Sequence, residues 1–246
     1  MLNVIEIEIM KTFLFSILAL TITFSNLKAQ TPAQVEGAWT FNEDEKLHYI
    51  FFQDGFYFHT IQQGNQFIGS DGGNYEVNNK VISTRVLFNS MDSTKIGNAI
   101  DVPFSFTGNQ LSISVSQGQV NFQRVDEGQA PLAGVWRITG RMQDGKITPI
   151  HQTGSRQTYK LLTGSKFQWV AMDPEKKQFS GTGGGSYTFK DGKYTEHIEF
   201  FSRDNSRVGA SLNFDGKLEN GDWHHSGLSS KGAKIYEIWS RIGKAN

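Results

Sequence analysis

The chain repeats itself, and this constrains its fold more than any local pattern does. Val35-Glu36-Gly37-Ala38-Trp39 is echoed by Leu132-Ala133-Gly134-Val135-Trp136. Phe67-Ile68-Gly69-Ser70-Asp71-Gly72-Gly73-Asn74-Tyr75 is echoed by Phe179-Ser180-Gly181-Thr182-Gly183-Gly184-Gly185-Ser186-Tyr187. At the offset of that second match, without a gap, Phe88 meets Phe200, Gly97 meets Gly209, Ile100 meets Leu212, Val102 meets Phe214 and Leu111 meets Trp223. Phe122-Gln123-Arg124-Val125 then meets Trp239-Ser240-Arg241-Ile242. Matches kept in one order make the chain a tandem duplication: one copy over 30–125, a short polar linker over 126–131, and a second copy over 132–246. The second copy is longer, chiefly because residues 140–154 have no counterpart. Insertions of this kind map to loops, where function often sits.

Within each copy the pattern is that of strands. Apolar alternation recurs in Ile50-Phe51-Phe52, Phe56-Tyr57-Phe58 and Phe104-Ser105-Phe106, between turn signals such as Asp54-Gly55 and Gly108-Asn109. The second copy repeats this with Tyr159-Lys160-Leu161, Phe167-Gln168-Trp169 and the turns Asp191-Gly192 and Asn220-Gly221. The spacing predicts an all-β protein of two tandem antiparallel up-and-down barrels, about eight strands each. A helix of more than a turn or two is expected nowhere, except for a short one in the 140–154 insertion. Gly181 to Gly185 lacks the following Lys and helix of a phosphate-binding loop, so it reads as a tight turn or bulge.

Composition narrows the function classes. Lys+Arg and Asp+Glu both number 24, so no net field favours nucleic acid or an anionic membrane. There is no Cys, which removes disulfides, thiolate zinc sites and thiol nucleophiles together. Residues 1–29 read as a signal peptide, with Lys11 before an apolar run over 13–24 and cleavage near Ala29. The run is too short to cross a bilayer, which takes about 20 residues. The expected location is therefore periplasmic or secreted, with no transmembrane segment in the mature chain.

A Gly-x-Trp on a first strand with an Arg on a last strand resembles the lipocalin and wider calycin pattern. It occurs twice, as Gly37/Trp39 with Arg124 and as Gly134/Trp136 with Arg241. The closer likeness is to the lipocalin-like domains of unknown function in exported bacterial proteins. The resemblance implies that each Arg packs across its Trp at the closed end of a barrel. Such a pair is a structural plug worth about 0.5–2 kcal/mol.

A duplicated barrel is its own control: positions alike in both copies are architecture, and positions that diverge are candidates for function. By strand parity Ile82, Thr84, Val86 and Phe88 share an inner face with Tyr194, Glu196, Ile198 and Phe200. The same offset turns Leu111 and Ile113 into Trp223 and His225. Ile50, Phe56 and Phe58 align with Leu161, Phe167 and Trp169. The first barrel thus reads as filled by aliphatic and Phe side chains. The second reads as an apolar wall with placed polar groups, the form of a pocket for a small, partly apolar ligand. Tyr159, Phe167, Trp169, Tyr194, Glu196, Trp223 and His225 are its candidate residues.

Other chemistries are thinner. His224 and His225 point to opposite faces of a strand, and only Glu196 and His225 converge, so no metal site is assembled. No cofactor is implied, although some calycin-like barrels hold haem through one His, and His225 would serve. A hydrolase could use Glu196, but no second carboxylate and no nucleophile elbow accompany it. A non-catalytic interaction or glycan-binding module would instead use outward aromatics, with Tyr57, Phe201 and Tyr236 as candidates.

Overall fold

The computed structural model of the protein describes residues 32–150, 153–229 and 232–243. The expected signal peptide lies outside the described residues. A one-turn helix, α1 (Pro32–Val35), leads into eight strands: β1 (Gly37–Glu43), β2 (Lys46–Gln53), β3 (Phe56–Gln63), β4 (Gln66–Asn78), β5 (Val81–Asn89), β6 (Ala99–Thr107), β7 (Gln110–Val115) and β8 (Gly118–Asp126). They form a closed meander barrel. The second copy supplies β9 (Gly134–Gln143), β10 (Lys146–Pro149), β11 (Gln157–Leu162), β12 (Lys166–Asp173), β13 (Gln178–Lys190), β14 (Lys193–Phe201), β15 (Ser211–Glu219), β16 (Asp222–Leu228) and β17 (Lys234–Ile242). Pairing of β9 with β17 closes this barrel too. No described helix is long and apolar enough to cross a membrane.

The insertion holds a strand instead of the expected short helix. Strand β9 pairs with β11 over Gly134–Arg137 and with β10 over Gly140–Gln143, so β10 extends one edge of the barrel rim. The glycine-rich segments lie inside long strands, at bulges, and not in turns. A Cβ on Gly73 would lie 1.9 Å from the Arg85 carbonyl oxygen, and one on Gly185 would lie 2.0 Å from that of His197. Glycine is what lets the bulged strand approach its neighbour there.

The bulge between Gly72 and Gly73 also reverses a face. Phe88 pairs with Gly72 while Val86 pairs with Gly73, so parity breaks at Leu87. Phe88, expected inside, points outward into a cluster with Phe58, Leu161, Val170 and Met172. Phe200 follows suit through the bulge at Gly184. These side chains form a third core between the two barrels.

That interface is close to two-fold. Phe67 stacks near Phe200 with centroids 6.4 Å apart, and the equivalent pair Phe179 and Phe88 repeats the contact at 6.2 Å. Tyr49 receives the Lys166 ammonium at 4.9 Å, and Tyr159, its counterpart, meets Phe56 at 5.8 Å. Reciprocal contacts between equivalent residues are the signature of an isologous dimer, here built into one chain. Gln168 is a polar member of the interface, fully buried, accepting from Thr60 (2.9 Å) and donating to Ser70 (2.9 Å) and Thr182 (3.0 Å). Asp126 ends β8 and accepts from Gly164 N, Ser165 N and the Thr163 and Ser165 hydroxyls at 2.7–2.9 Å. Burial opposes its charge, yet these donors hold the carboxyl below the usual range. The joint between the copies is therefore a hydrogen-bonded clamp.

Candidate functional site

The two closed ends are built alike. Arg124 lies over Trp39 at 4.0 Å and Arg241 over Trp136 at 4.4 Å. The indoles donate to the carbonyls of Val35 (2.8 Å) and Leu132 (3.0 Å), which seals both bases. The copies diverge above these plugs.

In the second barrel a cavity of about 840 Å³ opens beside Ile138, Trp169, Glu196, Phe201, His225 and Glu237. The insertion contributes Ile150 to its wall, and Arg141, Arg156 and Arg207 stand among its lining residues. Registers identify the equivalent positions in the two barrels. Gly37 pairs with Phe52 and Gly134 with Leu162, so Lys160 takes the place of Ile50. Glu196 replaces Thr84, His225 replaces Ile113, and Glu237 replaces Val120. Four ionisable side chains, each at most 8% exposed, thus stand where the first barrel carries three aliphatic residues and a threonine.

They do not stand alone. Lys160 Nζ lies 2.7 Å from Glu196 Oε1, which also accepts the Tyr194 hydroxyl at 3.0 Å. Burial and the Glu196 charge push the Tyr194 hydroxyl up, so it remains a donor. The Lys160 ammonium sits 5.1–5.7 Å from the ring centroids of Phe167, Tyr194, Trp223 and Trp239, an aromatic cage around a buried cation. Glu237 accepts from Arg141 at 2.8 Å and from the Trp239 indole at 3.2 Å. Burial works against its charge, but His225, Lys160 and Arg141 beside it bring the carboxyl down to about 2. Burial also lowers His225, leaving a neutral imidazole near pH 7. Its ring packs 4.1 Å from Phe214, and neither nitrogen has a hydrogen-bond partner among the described residues; Glu237 Oε2 is 3.6 Å away.

The predicted site residues therefore separate into three groups. Trp169, Glu196 and His225 line the cavity. Phe167, Tyr194 and Trp223 lie in the core beneath, as the Lys160 cage. Tyr159 is a correction: it points outward and packs against Phe56 of the other barrel. The cause is a register error of one residue, because Leu161 is the counterpart of Phe51, and Phe167 and Trp169 are the counterparts of Tyr57 and His59. One slip moves every side chain to the opposite face. The same slip hid Lys160. Glu237 was findable, since it lies two residues before Trp239 and on the same face. Of the outward aromatics, Tyr57 belongs to the first core and Phe201 lines the cavity.

The first barrel is not purely aliphatic and Phe either. Asp71 Oδ1 lies 2.9 Å from His59 Nδ1, and His59 Nε2 lies 3.1 Å from His48 Nδ1. Burial, then the neighbouring His59, lowers His48 to about 4 against the pull of Glu43. No group of three His, Asp or Glu among the described residues is placed to hold a metal ion.

A family model described as a domain of unknown function (DUF4488) matches residues 131–246, the second barrel. Among solved structures the chain is similar to a lipocalin-like protein from Bacteroides uniformis ATCC 8492. The identity is 13%, over 46% of this chain and 100% of that one, with a TM-score of 0.34. No curated protein matches the chain. Each barrel closes as an antiparallel up-and-down meander.

Proposed function

We propose that the protein is an exported small-ligand carrier, with its second barrel as the binding module and its first as a rigid partner. One observation carries this reading: the cavity of about 840 Å³ has an aromatic wall and a floor of ionisable groups, at positions that are three aliphatic residues and a threonine in the sister copy. Its size falls in the usual range for small-molecule pockets, about 300–1,000 Å³. Duplication supports the division of labour, because one copy can retain a filled core while the other gives up packing for polar groups. The apolar run over 13–24 supports export.

Native mass spectrometry of protein purified from its own host tests the proposal. Wild type is expected to carry a discrete added mass that Ala171→Trp, which fills the cavity wall, removes without unfolding the chain. An added mass retained in that variant places the ligand elsewhere, and a bare wild-type mass from fresh host material counts against the carrier role.

A further inference from the structure

The cavity's own charges narrow its occupant, given the reading that it holds a small ligand. The cations and anions of the wall are spent on one another. Lys160 is held by Glu196 at 2.7 Å, Arg141 by Glu237 at 2.8 Å and Arg207 by Asp204 at 3.1 Å. An anionic ligand reaching the floor would meet Glu196 and Glu237, and a cationic one would meet Lys160 and Arg141. Either would intrude on the Lys160–Glu196 pair, whose side chains are only 5% and 7% exposed, at a steep electrostatic cost. Arg156 is exposed, and solvent screens it.

Among the residues lining the cavity, the unmet hydrogen-bonding capacity belongs to His225. It lines the cavity with 2% exposure, and neither ring nitrogen has a partner among the described residues. Leaving a buried polar group unsatisfied is costly, so a ligand that meets it gains affinity. Glu237 Oε2 lies 3.6 Å from Nδ1 and favours the proton on that nitrogen, which leaves Nε2 with its lone pair. A ligand hydroxyl can donate to that lone pair. A carbonyl or a carboxylate cannot. Apolar ring surfaces share the cavity wall: Phe214, whose centroid is 4.1 Å from that of the imidazole, and Trp169 with Phe201, inclined at 63° with centroids 5.6 Å apart.

We propose that the second barrel binds an uncharged, hydroxyl-bearing ring compound, with its hydroxyl on His225 and its ring against Phe214, Trp169 and Phe201. A phenol and a saccharide ring share this chemistry, and the experiment separates them.

Equilibrium dialysis of the full chain near neutral pH would use 2-naphthol, naphthalene, 2-naphthoate and 2-naphthylmethylammonium as matched probes, with methyl β-glucoside as the saccharide. 2-Naphthol is expected to bind about tenfold more tightly than naphthalene and than either charged probe, the scale of one to two hydrogen bonds. His225→Phe is expected to bring 2-naphthol down to the affinity that naphthalene shows for the same variant. His225→Asn, which restores a donor and an acceptor, is expected to keep the preference. Binding of methyl β-glucoside with the same dependence on His225 would assign the saccharide source, and 2-naphthol binding without it the phenolic source. A charged probe that binds as tightly as 2-naphthol overturns the proposal, as does a preference that survives His225→Phe. Naphthalene binding equal to 2-naphthol in wild type overturns the ligand class and leaves the carrier reading intact. Failure of every probe to bind overturns the ligand class, and the mass carried by host-purified protein then decides the carrier reading separately.

Discussion

The two barrels share a plan and differ in what they enclose. Both close with an Arg over a Trp, both carry a glycine bulge in a long fourth strand of the meander, and both present the same outer face to the other. Inside, the first packs Ile50, Ile113 and Val120 against Trp39 and Phe122. The second puts Lys160, His225 and Glu237 at those positions. Apolar filling stabilises by burial at about 25 cal/mol per Å². Buried ion pairs seldom repay their own desolvation. The comparison teaches that the second interior departs from what stability alone would select, and that the first, bound to it through a shared core, can carry that cost.

The sharpest way to break the comparison is to remove one member of the Lys160–Glu196 pair. Both side chains are nearly inaccessible, at 5% and 7%. Lys160→Met strands the Glu196 charge in its aromatic surroundings and is expected to cost about 3–5 kcal/mol by urea unfolding. Installing the first barrel's own residues together, Lys160→Ile with Glu196→Thr, is expected to recover most of that loss. A single variant within about 1 kcal/mol of wild type, the range of an exposed pair, would show that the interior is wetter than its burial indicates.

The interface offers the next test. If the barrels form an internal isologous dimer, Phe88→Ala and Phe200→Ala should cost about 3 kcal/mol each and agree within about 1 kcal/mol. Both are at most 1% exposed in the same inter-barrel surface, at equivalent bulges. Calorimetry is expected to show one transition for wild type and two for either variant. A large cost for one and a negligible cost for the other would break the pseudo-symmetry.

Much of this was legible in the chain itself. Repeated Gly-x-Trp and Arg residues, with turn pairs between short alternating runs, carried the two barrels and their sealed ends. Parity alone put Glu196 and His225 inside. Two physical effects concealed the rest. Bulges at Gly72 and Gly184 insert one residue and reverse a face, so Phe88 and Phe200 looked like barrel filling when they are interface. The outer faces of β2, β3, β11 and β12 are themselves apolar, through Phe51, Phe58, Leu161 and Val170. With both faces hydrophobic, alternation lost its contrast and the register of β11 slipped by one. Lys160, the cation at the centre of the site, was lost to that slip.

The smallest expected effect concerns acid, and it separates the two barrels by residue. His48 in the first barrel is lowered to about 4 from an ordinary 6.5. The unfolded chain therefore takes up this proton first as pH falls. Stability is unaffected above about 6.5 and declines between about 6.5 and 4, with no further loss from this group below that. Glu43, Lys46, His59 and Asp71 are the charged and titratable groups around it, and His59 already fills the role of hydrogen-bond partner. His225 is lowered in the same direction and adds its own decline from the second barrel. Glu237 acts in a separate window: its stabilisation is present above an ordinary 4.5 and is lost as pH falls toward about 2. His48→Phe, which extends the neighbouring Phe41 packing, should flatten part of the slope between pH 6.5 and 4, by about 1 kcal/mol after screening. Adding His225→Phe should flatten the slope further. Urea midpoints taken across that range would read both steps. A slope unchanged by His48→Phe would assign the whole acid response to the second barrel, and the chemical asymmetry between the copies would then extend to their protons.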